Sequence, residues 1–141
     1  MIFWDVNLWV YAFRKDSPLH EKARNLLIQG MEDREGFLFS PVLASSFLRL
    51  VTNRKIFSVP SLPGEARDFV DVLEIHENAH FVEYDRTAYG IFKHLTLVTG
   101  AEGNLIPDAF LAALAIRHDC SFVTADRGFQ KYPGLQVELV A

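Results

Sequence analysis

The strongest constraint on the fold is a regular alternation of short apolar runs with helical patterns. The apolar runs read as strands buried on both faces. They lie at Ile2–Trp4, 36–40, 80–84, 121–125 and, more briefly, 137–140. Repeated strand–helix alternation predicts an α/β sandwich of three layers, in which helices flank a mostly parallel sheet with right-handed crossovers.

Cap and breaker residues give the helix boundaries. Ser17-Pro18 predicts the N-cap and first residue of one helix, which ends near Gly30, and Ser40-Pro41 predicts the start of another. Further helices are predicted over 66–73, 87–98 and 109–116. The last pattern is apolar around nearly its whole circumference, so this helix should be buried against the sheet.

Length and composition indicate one domain. A chain of 141 residues with 50% hydrophobic residues suits a single compact domain spanning residues 1–141. No apolar run approaches the roughly 20 residues that a membrane span requires. The single Cys120 cannot form an internal disulfide, which fits a reducing cytosol. We therefore expect a soluble, cytoplasmic protein.

The charge balance excludes broad adhesion to nucleic acid but leaves room for a local basic edge. The net charge is −4, whereas general nucleic-acid binders usually have basic domains. Each basic side chain near the predicted element ends is equally well explained as a solvated charge. The candidates are Arg14, Lys15, Arg49, Arg54, Lys55, Arg127 and Lys131.

Three aspartates stand where parallel sheets bind ligands. Asp5 and Asp126 each follow an apolar strand, and Asp108 comes one residue after Pro107 at the start of the apolar helix. If they converge on one edge, their oxygens suit Mg²⁺ or Mn²⁺. Asn7 and Thr124 are neutral oxygen donors placed to join the site or to orient water.

Each aspartate also has a purely structural explanation. Asp5 and Asn7 fit a turn that caps the next helix, and Asp108 fits a first-turn acid favoured by the helix dipole. Asp126 fits a turn before Gly128. The functional interpretation is favoured because all three would reach the same edge, where a divalent ion would offset their repulsion.

Four sequence blocks follow one another along the chain, namely Asp5-Val6-Asn7, Phe47 to Asn53, Gly103 to Ala109, and Thr124 to Phe129. In this order they resemble the PIN-domain nucleases, and most closely the VapC-like toxins of bacterial toxin–antitoxin pairs. The resemblance covers nearly the whole chain. It implies a metal-dependent endoribonuclease, a homodimer, and inhibition by a cognate VapB-like antitoxin whose extended segment covers the acidic cleft.

The mechanism that we expect assigns a role to each candidate residue. Asp5, Asp108 and Asp126 hold Mg²⁺ or Mn²⁺, which activates water for hydrolysis of an RNA phosphodiester. Thr124 hydrogen-bonds a ligand carboxylate or a metal-coordinated water, and Asn7 orients Asp5. Arg49 or Arg127 holds a flanking phosphate.

One departure from the family pattern defines the alternative function. The family usually has a glutamate in the third helix, but residues 41–47 contain no acid, and Ala44 or Ser46 stands near that position. Three consequences are open: a lower metal affinity, the loss of a second metal position, or replacement of the ligand by Ser46 through water or by a carboxylate such as Glu102. The alternative is a PIN-like module that binds antitoxin or RNA but cleaves poorly.

Two other phosphate-handling classes begin with a strand that ends in an aspartate. Phosphatases of the haloacid-dehalogenase type normally need a second aspartate two residues later, where this chain has Asn7. Response-regulator receivers need paired acids and a late-strand lysine, which are missing. Both classes are therefore disfavoured.

Overall fold

The computed structural model describes residues 1–140, so Ala141 of the predicted domain lies outside the described residues. The strands are β1 (Ile2–Trp4), β2 (Phe37–Phe39), β3 (Ala79–Phe81), β4 (Ser121–Thr124) and β5 (Gln136–Leu139). The helices are α1 (Val6–Phe13), α2 (His20–Glu32), α3 (Pro41–Val51), α4 (Pro63–Glu74), α5 (Arg86–Thr99) and α6 (Leu105–Arg117). A short 3-10 helix spans Arg127–Lys131.

The chain forms two compact units. The first contains residues 1–5 together with the chain from Glu83 onward, and the second contains Val6–Val82. The first unit therefore holds β1, β4 and β5 with α5 and α6, and the second holds β2 and β3 with α1 to α4. All three predicted aspartates belong to the first unit.

Strand pairing within each unit is parallel. In the first unit β4 lies between β1 and β5, with Phe3 opposite Phe122 and Phe122 opposite Val137. In the second unit β2 pairs with β3, with Leu38 opposite His80. The predicted α/β fold with parallel strands is confirmed.

The core of the second unit is aromatic. Phe47 of α3 lies at its centre, with its ring 5.9 Å from that of Trp9, 5.4 Å from Phe13 and 5.0 Å from Phe69. Trp9 and Phe47 are both completely buried. Because aromatic side chains remove large apolar areas from water, this cluster holds α1, α3 and α4 together.

The core of the first unit is built around α6, as its apolar sequence predicts. Its alanines at positions 109, 112, 113 and 115 are fully buried, and small side chains let neighbouring elements approach closely. On its α5 side the ring of Phe110 contacts Phe92 at 5.3 Å. The position of α6, and hence of Asp108, is set by this packing.

Two predicted helix starts are wrong. Residues 17–19 form a turn instead of a helical start, because the Ser17 hydroxyl accepts the N–H of Leu19 at 3.2 Å, and α2 begins at His20. Conversely, α6 begins at Leu105, before Pro107. Proline is tolerated there because first-turn N–H groups have no partner within the helix.

The remaining predicted boundaries agree with the structure to within a few residues, whereas the helix boundaries read from the sequence do not include α1 (Val6–Phe13). The Ser40 hydroxyl caps α3 by accepting the N–H of Val42 at 3.2 Å, and Gly100 ends α5 in the left-handed conformation. β3 is shorter than predicted and ends at Phe81. Across residues 1–140, no helix has the length and apolar character needed to cross a bilayer.

Gly36→Ala tests the turn that leads into β2. Gly36 has a φ of +77°, and a Cβ there would lie 2.3 Å from the Asn78 carbonyl oxygen. We expect the free energy of unfolding to fall by about 2–4 kcal/mol in urea titrations. Gly90→Ala is the control, because a Cβ at this α5 position meets nothing within 4 Å, so stability should rise by about 0.5–1 kcal/mol. Equal stability of both variants would contradict the prediction.

Asp85→Asn tests the start of α5. The Ala88 N–H and then the Arg117 guanidinium lower the pKa of Asp85 below its ordinary 3.8. A lowered pKa means that the ionised carboxylate stabilises the fold above that pH and that the contribution disappears as the pH falls further. We expect wild type to exceed the variant in melting temperature at pH 7, and the difference to vanish at the acid end of a pH series. A difference in melting temperature that does not change with pH would show that the negative charge of Asp85 does not contribute to stability.

Candidate active site

Asp5 and Thr124 are brought together by strand register. Trp4 lies opposite Val123, and the Asp5 N–H donates to the Val123 carbonyl at 2.9 Å, so the β1–β4 pairing extends to Asp5. The Thr124 hydroxyl then donates to Asp5 Oδ2 at 2.7 Å. Both side chains are buried, with Asp5 4% exposed and Thr124 completely covered. This contact fixes the orientation of the Asp5 carboxylate.

The same hydroxyl ties Asp126 to the pair. Thr124 Oγ1 accepts the backbone N–H of Asp126 at 3.0 Å, so one oxygen atom bridges two of the predicted ligands. The Asp126 side chain is exposed, and its Oδ1 caps the 3-10 helix by accepting the Gly128 N–H at 2.8 Å. The structural role predicted for Asp126 is therefore real, and within residues 1–140 its Oδ2 has no protein donor.

Asp108 lies in the first turn of α6 and is half-buried. Burial and then the negative charge of Asp126 raise its pKa, whereas the positive charge of Lys131 acts in the opposite direction. The two carboxylates are thus close enough to repel each other. Such repulsion is relieved when a cation binds between or beside them.

The donor set suits a hard divalent ion, but no finished metal cage exists among the described residues. Within residues 1–140, no three His, Cys, Asp or Glu side chains come together as a metal-binding group. Mg²⁺ is commonly held by one or two carboxylates, with water and phosphate oxygens completing its shell. The oriented Asp5 and the mutually repelling Asp108 and Asp126 fit that mode of binding.

The other predicted residues are distributed over both units. Arg127 is exposed on the 3-10 helix directly after Asp126. Asn7 on α1 and Arg49 on α3 are exposed, and Ser46 on α3 is half-buried; all three belong to the second unit. Their roles stay predictions.

One basic candidate is committed to a structural role. Arg14 makes two hydrogen bonds to Asp16, at 3.0 and 2.6 Å. Its remaining terminal nitrogen donates to the Val59 carbonyl at 2.8 Å and the Ser61 hydroxyl at 3.0 Å. The guanidinium therefore ties the loop before α4 to the end of α1 and is not available to hold a phosphate.

Tyr132 is a neighbour of the acids that the sequence did not reveal. It is 2% exposed, and its hydroxyl donates to the carbonyl of Leu105, the first residue of α6, at 3.4 Å. Burial, followed by the charges of Asp108 and Asp126, raises its pKa to about 12. No motif marks this tyrosine, because its position depends on the 3-10 helix that turns the chain back toward α6.

Sequence comparison assigns the chain to a family. The profile of the PIN domain matches residues 2–135, and therefore extends through both compact units. The protein belongs to the PIN-domain family.

Within that family, its relatives include VapC ribonucleases. VapC ribonuclease Mb2897 of Mycobacterium bovis is 35% identical over 136 residues, which cover 96% of this chain and 92% of the relative. Ribonuclease VapC25 of Mycobacterium tuberculosis is 34% identical over 142 residues, with 96% of each chain covered.

Solved structures show the same fold at much lower identity. VapBC2 from Rickettsia felis, bound to a DNA fragment from its promoter, superposes with a TM-score of 0.70 at 18% identity and full coverage of both chains. VapC20 of Mycobacterium tuberculosis, described as a sarcin-ricin loop cleaving toxin, gives 0.66 at 12% identity, covering 96% of this chain and 98% of that one.

Thr124→Val tests the hydroxyl that bridges Asp5 and Asp126. Valine keeps the shape but leaves the Asp5 carboxylate and the Asp126 N–H without this partner. We expect the free energy of unfolding to fall by about 1–3 kcal/mol, measured by urea denaturation. Thr124→Ser is the control, since it keeps the hydroxyl and should lose less of the free energy of unfolding than Thr124→Val does. A valine variant as stable as wild type would show that the bridge contributes nothing.

Proposed function

We propose that this protein is a metal-dependent endoribonuclease that hydrolyses RNA phosphodiester bonds and acts as the toxin of a toxin–antitoxin pair. The single observation that carries the proposal is the joining of Asp5 and Asp126 through Thr124, with Asp108 electrostatically coupled to Asp126. Support comes from relatives that are named VapC ribonucleases and whose similarity to this protein extends over nearly the whole chain.

The proposed site residues are Asp5, Asp108 and Asp126, which would hold Mg²⁺ or Mn²⁺. When bound, the ion supplies Lewis-acid chemistry, making water more acidic and offsetting charge on the phosphate. Thr124 donates to the Asp5 carboxylate and accepts the backbone N–H of Asp126. These two proposed ligands are therefore positioned before an ion binds, which lowers the entropic cost of binding it. Arg49 and Arg127 are proposed to contact flanking phosphates.

The partners follow from the relatives and neighbours. Several neighbouring structures are toxin–antitoxin complexes, including one from Klebsiella pneumoniae. We therefore propose that this protein binds a cognate VapB-like antitoxin, forms a homodimer, and acts on RNA in the cytoplasm.

A second candidate function is a binding module with weak catalysis. It is favoured by the lack of an acid in residues 41–47 and of a finished metal-binding group among residues 1–140. The two candidates differ in whether divalent ions switch on RNA cleavage.

Metal-dependent cleavage distinguishes them. Purified protein free of antitoxin is incubated with total cellular RNA in EDTA, in Mg²⁺ and in Mn²⁺. We expect cleavage only with a divalent ion. The cleavage rate of Asp5→Asn and of Asp126→Asn should fall by about 100-fold or more, because even residues that only hydrogen-bond to metal ligands typically contribute 10–100-fold to activity. Asp71→Asn, an exposed carboxylate on α4, is the control and should leave cleavage unchanged.

Circular dichroism confirms that each variant is folded. If folded wild type cuts no RNA in either metal, the binding module becomes the correct assignment. If cleavage persists in EDTA, or if Asp5→Asn and Asp126→Asn cleave as well as Asp71→Asn, the proposed metal site is wrong.

A further inference from the structure

Lys131 is a cation held at the border of the acidic site. It is the last residue of the 3-10 helix that begins directly after Asp126, and Asp126 caps that helix through Gly128. Its ammonium nitrogen lies 5.4 Å from the centroid of the Tyr132 ring, within the range of a cation–π contact. One short, capped segment therefore carries both an acid of the site and this lysine.

Tyr132 fixes that segment to the helix that carries Asp108. The buried phenol ring donates its hydroxyl hydrogen to the Leu105 carbonyl at the start of α6. Burial and the charge of Asp126 raise the pKa of Asp108, and the positive charge of Lys131 acts on the same pKa in the opposite direction. Lys131 thus lies over a rigid aromatic surface within electrostatic range of the acids.

Unlike Arg14 and Arg117, Lys131 has no carboxylate partner at salt-bridge distance among residues 1–140. Arg14 is paired with Asp16 at 2.6 Å, and Arg117 with Asp85 at 3.0 Å. The side chain of Lys131 is exposed, so its three N–H donors face solvent instead of an acid of the protein. An incoming anion can therefore bind it without displacing a salt bridge.

A polyanionic substrate needs such a group at this place. RNA phosphates are repelled by Asp108 and Asp126, and the protein as a whole carries a net charge of −4. A lysine ammonium is a compact charge that binds phosphate without requiring one fixed approach geometry. The cation–π contact with Tyr132 favours side-chain conformations of Lys131 that keep its ammonium over the ring.

We propose that Lys131 is a substrate-positioning residue that binds an RNA phosphate beside Asp108 and Asp126. This inference rests on RNA being the ligand in the proposed function, and it adds a specific phosphate contact to it. The sequence marks both Arg127 and Lys131 as candidates for a basic edge, and the expected mechanism names Arg127; among the described residues, however, Arg127 has no aromatic support comparable to that of Lys131.

The test compares Lys131→Gln with Lys131→Arg and with Lys93→Gln. Lys93 is the matched control, because it lies 5.9 Å from the Tyr89 ring in a similar cation–π arrangement on α5. Binding of a fluorescent single-stranded RNA is measured by anisotropy in an Asp5→Asn background, at several salt concentrations, so the result does not depend on turnover. Cleavage kinetics are measured separately in otherwise wild-type protein.

We expect Lys131→Gln to weaken RNA binding about tenfold, which corresponds to the loss of one charge-assisted hydrogen bond. The slope of log affinity against log salt should shrink by about 0.7, the value for one phosphate contact on a single strand. In the kinetics KM should rise while kcat stays within about threefold. Lys131→Arg and Lys93→Gln should retain the wild-type slope.

Two results would overturn the inference. One is an unchanged salt slope in Lys131→Gln, and the other is an equal loss in Lys93→Gln, which would indicate only a general effect of charge. Failure of the nuclease proposal gives a different result, in which folded wild type does not cleave RNA while the binding series still shows whether Lys131 contacts phosphate.

Discussion

The candidate site depends on one hydroxyl group at the end of a parallel strand pair. Thr124 Oγ1 donates to Asp5 and accepts from the backbone of Asp126, so a single buried atom connects residues that are 121 positions apart in the sequence. Because the β1–β4 register places Asp5 beside Thr124, strand pairing and site geometry cannot be separated. The hydrogen bond from Thr124 offsets part of the cost of burying the Asp5 side chain.

The second constraint is the unfavourable interaction between Asp108 and Asp126. Half-burial of one carboxylate near another destabilises the ionised pair, and the structure contains only partial compensation for it, from Lys131. Such a site binds positive charge favourably, because a bound cation relieves the repulsion between the two carboxylates. Its function is then defined by what supplies that charge, which in the proposal is a divalent ion together with the lysine.

Much of this arrangement could be predicted from local sequence patterns. Strand positions followed from apolar runs, and the Ser40 and Gly100 caps marked helix ends, because these signals act over a few residues. The start of α2 was missed because the Ser17 side chain closes a turn with Leu19 instead of capping a helix. The predicted start of α6 is wrong because a proline usually marks a helix boundary, whereas a first-turn proline such as Pro107 loses no helical hydrogen bond.

The site residues show the same division between local and long-range information. Asp5 and Asp126 could be found because each comes just after a strand, and Thr124 because it lies at the end of one, and parallel strands end at a common edge. Tyr132 could not, because its contact with Leu105 joins segments 27 positions apart and leaves no periodic signal. Which basic residues form salt bridges likewise depends on side-chain geometry, and this cannot be read from the composition.

The neutralisation of Arg14 by Asp16 has a kinetic consequence. With that guanidinium engaged by Asp16 and a net charge of −4, the overall charge of the protein does not attract RNA from a distance. Encounter should therefore occur at the ordinary rate for unsteered macromolecules, about 10⁵–10⁶ M⁻¹s⁻¹. Discrimination among RNAs must then arise after encounter, from how long each one remains in contact with the acidic edge.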